Sequence, residues 1–447
     1  MGTVPACCAR HKCASLALSV TLATLLLAVS IGAPILLTRL LRAGIRDSIA
    51  LTPRAQRDAT KAWQSWSDSR NAEARPLSMS AHLFNVSNPL EAAGGAPVIL
   101  DEIGPFVFNE FKVRSNFSWG SATTASGASV STLSYTEHVY YLFDRARTPA
   151  ALSLDTLITA PNMPFITALT LGPDVAILLG YDCFDTPDAP FAKSARCLFR
   201  SRRAVDLIFG FTPTDESLPW IGLLKNDTTS PLPSTIITGY DAATDELDPN
   251  AAAQFRHFTA WEGSSQSLAP VSPATARDHS TWRPPWNSTA ANRVGGSEGI
   301  QNAPSLDLSA PLSVYTHPLF RQMTLEASPA PPFLLQQTSH SAASSDPSAS
   351  QIDPTPAAFT YEGVDLFHFQ LSPSVFQNAS ANPANMDYYA FGVPSGILNT
   401  TKCFAGLQLF VSQPHFLNVD PTPLTQRVHG LAPSYVTHYC SHIRGES

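Results

Sequence analysis

A mainly β protein with one helical island, held to a membrane by an amino-terminal helix, is what this sequence predicts. Only 14% of the residues are charged while 38 are prolines, a balance that suits short strands and loops over long solvated helices. Phe106, Phe108, Phe111 and Val113 follow a mostly alternating pattern, that of a strand with one face buried. No charge interrupts Cys13 to Thr38, a run that at about 1.5 Å per residue exceeds a bilayer core of ~30 Å. A net charge of -7 gives no general reason to bind nucleic acid.

The apolar run divides the chain into an N-terminus at 1–12, expected to be cytosolic, a transmembrane helix at 13–38, and a lumenal or extracellular body at 39–447. A cleaved signal peptide is the rival, but its apolar region is usually about 7–15 residues, so an uncleaved anchor is favoured. Arg39, Arg42 and Arg46 outnumber Arg10 and Lys12, which by itself points the other way. Six N-x-S/T triplets, at Asn85, Asn116, Asn226, Asn287, Asn378 and Asn399, together with the downstream cysteines, decide the orientation. Cys7, Cys8 and Cys13 would then face the reducing side, as candidates for palmitoylation or as plain thiols. Cys183, Cys197, Cys403 and Cys440 would face the oxidising side as disulfide candidates.

Along the body, Thr52-Pro53 reads as a helix start, opening a helix through Ala55, Ala59, Ala62, Trp63 and Trp66. Its tryptophans would pack on the body or sit at the lipid interface. Leu83 to Phe111 reads as strand, turn, loop, turn, strand, broken at Asn88-Pro89, Gly94-Gly95 and Gly104-Pro105, with a bulge near Asn109. Thr132 to Phe143 is β-rich, and Asp155 to Asn162 ends in turn residues. Ala168, Val175, Ile177, Leu178, Leu198, Val205 and Ile208 fall at helical spacing, making 163–211 the helical island. Two segments at 264–291 and 327–357 are dominated by Ser, Ala and Pro, and read as surface loop insertions with little to build a core. Short strand-like runs follow at Val364–Leu371, Leu407–Val411 and Val428–Leu431.

The motifs FNVSNP and DEIGPFVFNEF, then DTLITAPN, DLIFGF, ITGYD, GGSEG, LSVYTHPLFR, CFAGLQLFVSQPHFLNVD and HGLAPSYVTH, come in an order that resembles the class B scavenger receptor family. The pair FNVSNP…EIGPFVF and VSQPHFLNVD is the most specific, and the series runs from about Ile49 to His438. The resemblance implies an antiparallel β-barrel ectodomain with a helical bundle at its membrane-distal apex. It also implies an apolar tunnel that passes lipid to the membrane. Relatives carry further barrel strands and a second membrane segment past the region matching His438, so a truncated sequence is expected. Only Cys403 falls where relatives carry a disulfide cysteine, and Cys183 with Cys197 would be this chain's own bridge.

Lys193, Arg196, Arg200, Arg202 and Arg203 form a basic cluster in an acidic chain, and Arg196, Arg200 and Arg203 at i, i+4 and i+7 would share a helix face. With Lys193, that face is the candidate site for anionic lipid headgroups or lipoprotein particles; a solvated helix face is the plainer reading. No histidine lies between Met163 and Phe211 to serve as a pH switch there. Gly295-Gly296-Ser297-Glu298-Gly299 fits G-x-S-x-G, but Pro304 follows soon where the motif needs a helix, so Ser297 is not taken as a nucleophile. No D-x-D or H-E-x-x-H occurs, and no cofactor or metal is expected. The expected function is a membrane-anchored, scavenger-receptor-like binder and conductor of fatty acid, phospholipid or sterol, at the plasma membrane or in endosomes and lysosomes. The alternative is a lumenal trafficking adaptor that holds a protein partner through the apex. A membrane-anchored hydrolase is the remote third.

Overall fold

The computed structural model describes residues 48–71, 77–124, 129–178, 192–211, 220–271, 278–299, 309–328, 359–433 and 441–445, with short interruptions inside some of these stretches, together with Leu37, Leu40, Gly44 and Gly127. The expected membrane helix at 13–38 falls almost wholly outside them. Among the described residues no helix is long and apolar enough to cross a membrane. The chain divides into two compact units, Met1–Trp63 and Gln64–Ser447.

Thr52 caps α1 (Pro53–Arg57), accepting a hydrogen bond from the Ala55 amide at 3.1 Å, as the sequence predicts. The single helix expected there is broken, however. Ala59 adopts a left-handed backbone with φ 48°, and α2 (Lys61–Ser67) starts afresh.

In the larger unit, β1 (Leu77–Val86) pairs antiparallel with β2 (Val98–Thr123). Asn88-Pro89 proves to be more than a turn: proline's fixed φ opens α3 (Pro89–Ala93), which ends at Gly94. The bulge lies at Gly104-Pro105, not near Asn109, because Ala81 faces Phe106 while Leu83 faces Ile103. A second register shift lies between Ser115 and Ser118, where β2 pairs with β3 (Ser129–Phe143). Strand β3 also pairs with β8 (Thr228–Thr229) and β9 (Ser234–Asp241), and β9 with β10 (Phe258–Ala260). Phe106, Val107 and Phe108 are buried in succession, so β2 is covered on both faces here.

The second sheet joins β11 (Leu312–Thr316), β12 (Arg321–Ser328), β14 (Val364–Leu371), β13 (Phe359–Tyr361) and β18 (Ser441–Gly445), all antiparallel. Small pairs complete the set: β4 (Leu157–Pro161) with β5 (Phe199–Arg203), β6 (Gly210–Phe211) with β7 (Trp220–Ile221), and β15 (Ile397–Asn399) with β16 (Phe410–Ser412). Strand β17 (Val428–His429) runs parallel to β2 at Val98 and Ile99. The antiparallel β class thus holds, but the described strands form a seven-stranded sheet, a five-stranded sheet and three two-stranded pairs, not the one closed barrel implied by the resemblance.

Two apolar clusters organise this unit. Leu83, Phe106 and Phe108 pack with Ile158 of β4 and with Ala204 and Ile208 of α7 (Ala204–Phe209), so the opening motif packs against the helical island. Each buried phenylalanine contributes about 1.5–3 kcal/mol. The larger cluster holds Phe320, Met323, Phe369 and Phe376 with Trp282, Trp286 and Ala291. The last three correct the reading of 264–291 as a loop without core residues: its tryptophans pack from irregular backbone, with no periodicity to betray them. Ala327 and Ser328 likewise belong to β12, while 329–358 lie outside the described residues.

Candidate functional site

The helical island expected to form the apex begins where β4 ends. Asn162 is fully buried; its amide reaches the Leu198 carbonyl at 2.8 Å and its side chain caps α4 (Met163–Leu171). Phe165 and Ala168 of α4 pack with Ala176 of α5 (Pro173–Leu178) and Cys197 of α6 (Ala192–Leu198).

Helix α6 stops at Leu198, which overturns the shared helix face of Arg196, Arg200 and Arg203. Phe199–Arg203 is captured by β4 as an antiparallel strand, with Leu157 facing Arg203 and Ala160 facing Arg200. Strand alternation turns Arg200 and Arg202 to one side and Ser201 and Arg203 to the other. Arg202 lies over the rings of Phe211 and Trp220, at 5.1 and 5.6 Å. Arg203 is held by Asp206 at 2.8 Å and lies 3.5 Å from Asp155. Arg196 remains exposed in the last turn of α6, on the same short helix as Lys193. Leu157, 65% exposed, faces Arg203 across the β4–β5 pair, and Leu169 of α4 and Ile177 of α5 are exposed as well.

Of the disulfide candidates, Cys197 is disulfide-bonded, while Cys183 and Cys440 lie outside the described residues. Cys403 is a correction. It is a buried free thiol, its Sγ 3.6 Å from the Leu319 carbonyl, and burial pushes its pKa up to about 12. The palmitoylation candidates Cys7, Cys8 and Cys13 are also outside the described residues. Among the sequons, Asn116, Asn226 and Asn287 are exposed, and Asn85, Asn378 and Asn399 half-buried.

A second constellation was not anticipated. Period two places Glu110, Lys112 and Arg114 on one face of β2, and Tyr135, Glu137 and Tyr141 on the facing side of β3. Arg114 is 2.7 Å from Glu137 and 2.7 Å from Glu298, while Lys112 is 3.2 Å from Glu110, which accepts a 2.9 Å hydrogen bond from Tyr141. The Arg114 guanidinium also lies 4.6 Å from the Trp66 ring. Burial opposes the charges on Lys112, Arg114 and Glu298. Even so, Glu298 and Glu137 hold Arg114 above its ordinary value, and Arg114 and Lys112 hold Glu298 below its own. Arg256, buried near Glu298, is pushed down to about 10 by desolvation. Lys112, Arg114 and Arg256 against Glu110, Glu137 and Glu298 leave no net charge, so the arrangement locks strands and offers no free acid or base. Alternating charges at 110, 112 and 114 in a β pattern were the available signal.

Glu298 comes from the GGSEG turn. Ser297 is buried, bridging His257 on one side and Val314 on the other, and its Oγ accepts from the Gly299 amide at 3.1 Å. Gly296 sits at φ +88°, where a Cβ would come 2.9 Å from the backbone at Val314 and Tyr315. The turn joins the two sheets through isolated bridges, and among the described residues no strand leads into Ser297 as a nucleophile elbow needs, while 300–308 lie outside them.

Comparison with known proteins matches a family model described as the CD36 family to residues 20–329 and 355–443. The chain is 22% identical over 367 residues to scavenger receptor class B member 1 of Cricetulus griseus, covering 81% of this chain and 60% of that protein. It is 22% identical over 418 residues to lysosome membrane protein 2 of Mus musculus, covering 94% of this chain and 74% of that protein. The chain thus spans about 60% of the length of the receptor relatives it matches.

Proposed function

The chain belongs to the CD36 family, and we propose from that premise that it is a membrane-anchored, scavenger-receptor-like protein that binds lipids or lipoprotein particles and passes lipid through an apolar tunnel to the membrane. The observation that carries this reading is the make-up of the apex. Exposed Arg196 and the exposed Leu157, whose strand partner Arg203 is shared with Asp206, give an apolar and cationic mixture suited to an acyl chain ending in an anionic headgroup. Fatty acid, phospholipid and sterol are the ligand classes, and the plasma membrane or the endosomal and lysosomal system is the setting. The test is binding of a fluorescent fatty acid to the full chain in detergent micelles, competed by unlabelled lipid. Replacing Arg196, Arg200 and Arg203 by Glu should weaken binding about tenfold at low salt and flatten its salt dependence. Unchanged binding would remove the apex from the reading.

A second reading, a lumenal adaptor that carries a protein partner on the apex, draws on the 94% of the chain that aligns with lysosome membrane protein 2. It predicts that the same triple replacement leaves fatty-acid binding intact.

A further inference from the structure

A cleft of about 380 Å³ lies beside the GGSEG turn, lined among others by Gln254, His257, Phe258, Gln266, Arg293 and Gly295. Its size falls at the lower end of the range of about 300–1,000 Å³ usual for ligand sites. The backbone that builds it is well tied: Arg293 faces Gln266 in an antiparallel bridge, the Val294 amide reaches the Ser265 carbonyl at 3.0 Å, and the Phe258 amide reaches the Gly296 carbonyl at 2.9 Å.

The side chains are not tied. Among the described residues, Gln254, His257, Gln266 and Arg293 make no side-chain hydrogen bond or ion pair. Half-buried or, at Arg293, exposed, these four line one cleft and face solvent instead of protein, so their donors and acceptors are available to a ligand. Their chemistry narrows what that ligand is. Arg293 is the one formal charge among the lining residues, and no carboxylate lines the cleft to repel an anion. Burial pushes His257 down to about 4, so near neutral pH its ring is uncharged, able to donate at one nitrogen and accept at the other. The two glutamines each donate and accept as well. An acyl chain would leave all four groups desolvated and unpaired, at a cost; a hydroxyl-rich ligand with one negative charge would satisfy them. Gln266 also lines an adjoining cavity of about 150 Å³ with Trp261 and Trp282; Glu262 lines that cavity too, so only the uncharged ring could extend there while the anion stays at Arg293.

We infer that this cleft binds an acidic sugar, a hydroxylated ring bearing one anionic group, with Arg293 on the anion, Gln254, Gln266 and His257 on the hydroxyls, and the ring against Phe258 or the tryptophan wall. Such a ring comes either as a free sugar acid or as a unit of a glycan. The site is separate from the apex and independent of the lipid reading.

The test titrates the full chain in detergent micelles with glucuronate, with a glucuronate-containing oligosaccharide, and with glucose, by calorimetry. The expected result is saturable binding of an acidic probe at least about tenfold tighter than glucose. Arg293→Gln should lower that affinity about ten- to one-hundred-fold, the loss of a charge-assisted hydrogen bond of about 1.5–3 kcal/mol. Because Arg293 is exposed and makes no side-chain hydrogen bond or ion pair among the described residues, the thermal midpoint and the fatty-acid binding of that variant should stay as in the parent. Gln254→Ala should weaken glucuronate and glucose alike. Equal affinity for the free acid and the oligosaccharide assigns the free sugar acid, and a preference for the oligosaccharide assigns a glycan. Acidic probes that bind no better than glucose, or acidic binding indifferent to Arg293→Gln, would overturn the inference.

Discussion

Nε2 of His415 lies 3.3 Å from Oε2 of Glu102, which brings the motif VSQPHFLNVD onto the motif DEIGPFVF across the full length of the body. His82 Nδ1 takes the other carboxylate oxygen at 2.8 Å. The Ala432 amide donates to His415 Nδ1 at 3.2 Å, which leaves that nitrogen unprotonated and puts the ring hydrogen on Nε2, toward Glu102. A second proton on His415 would therefore face the Ala432 N–H and expel it. Removing the Nδ1 acceptor in His415→Phe should raise amide exchange at Ala432 relative to β2, and unchanged exchange would contradict the assigned contact.

The Arg114–Glu298 pair is buried, so removing either partner leaves a desolvated charge short of its counter-charge, even though Arg114 keeps Glu137 at 2.7 Å. Glu298→Gln or Arg114→Met should each cost about 3–5 kcal/mol, read as a lowered urea midpoint. The double replacement should cost less than the sum, since the two act through one contact. A loss below about 1 kcal/mol for either single change would mean that water reaches the pair.

His257 sets a pH dependence of stability. Burial lowers its pKa in the fold to about 4 from an ordinary value of about 6.5, so between those values the unfolded chain binds the proton and the folded one does not. Stability from this group is complete above about 6.5 and lost as pH falls toward about 4. Subtracting the His257→Gln profile from the parent should isolate a fall over that window; parallel profiles would show that the ring is solvated.

Thiol chemistry should separate the cysteines. Cys403, buried with its pKa near 12, should resist iodoacetamide in the native state and react once unfolded. Non-reducing peptide mapping should join Cys197 to Cys183, the cysteine nearest in sequence across the expected loop. A peptide joining Cys197 to another cysteine would reassign the bridge.

Some of this was legible in the residues. Turn formers bracket Val364–Leu371, and the strand has those bounds; Thr52-Pro53 caps as written. The apex arginines misled because i, i+4, i+7 spacing also fits a chain that is helical only to Leu198, and the pairing with β4 that ends the helix is tertiary. Trp282 and Trp286 stayed hidden because core made from irregular backbone has no period. The Arg114–Glu298 contact joins residues 184 apart, and no local pattern encodes such a distance.

Ser297 touches both sheets at once, through His257 and through Val314. A rivet of that kind forbids shear: sliding either sheet by one residue would tear Ser297 from a bridge and drag Glu298 off Arg114. Any widening of the body would therefore come from side chains swinging within fixed walls, with the sheets themselves staying in register.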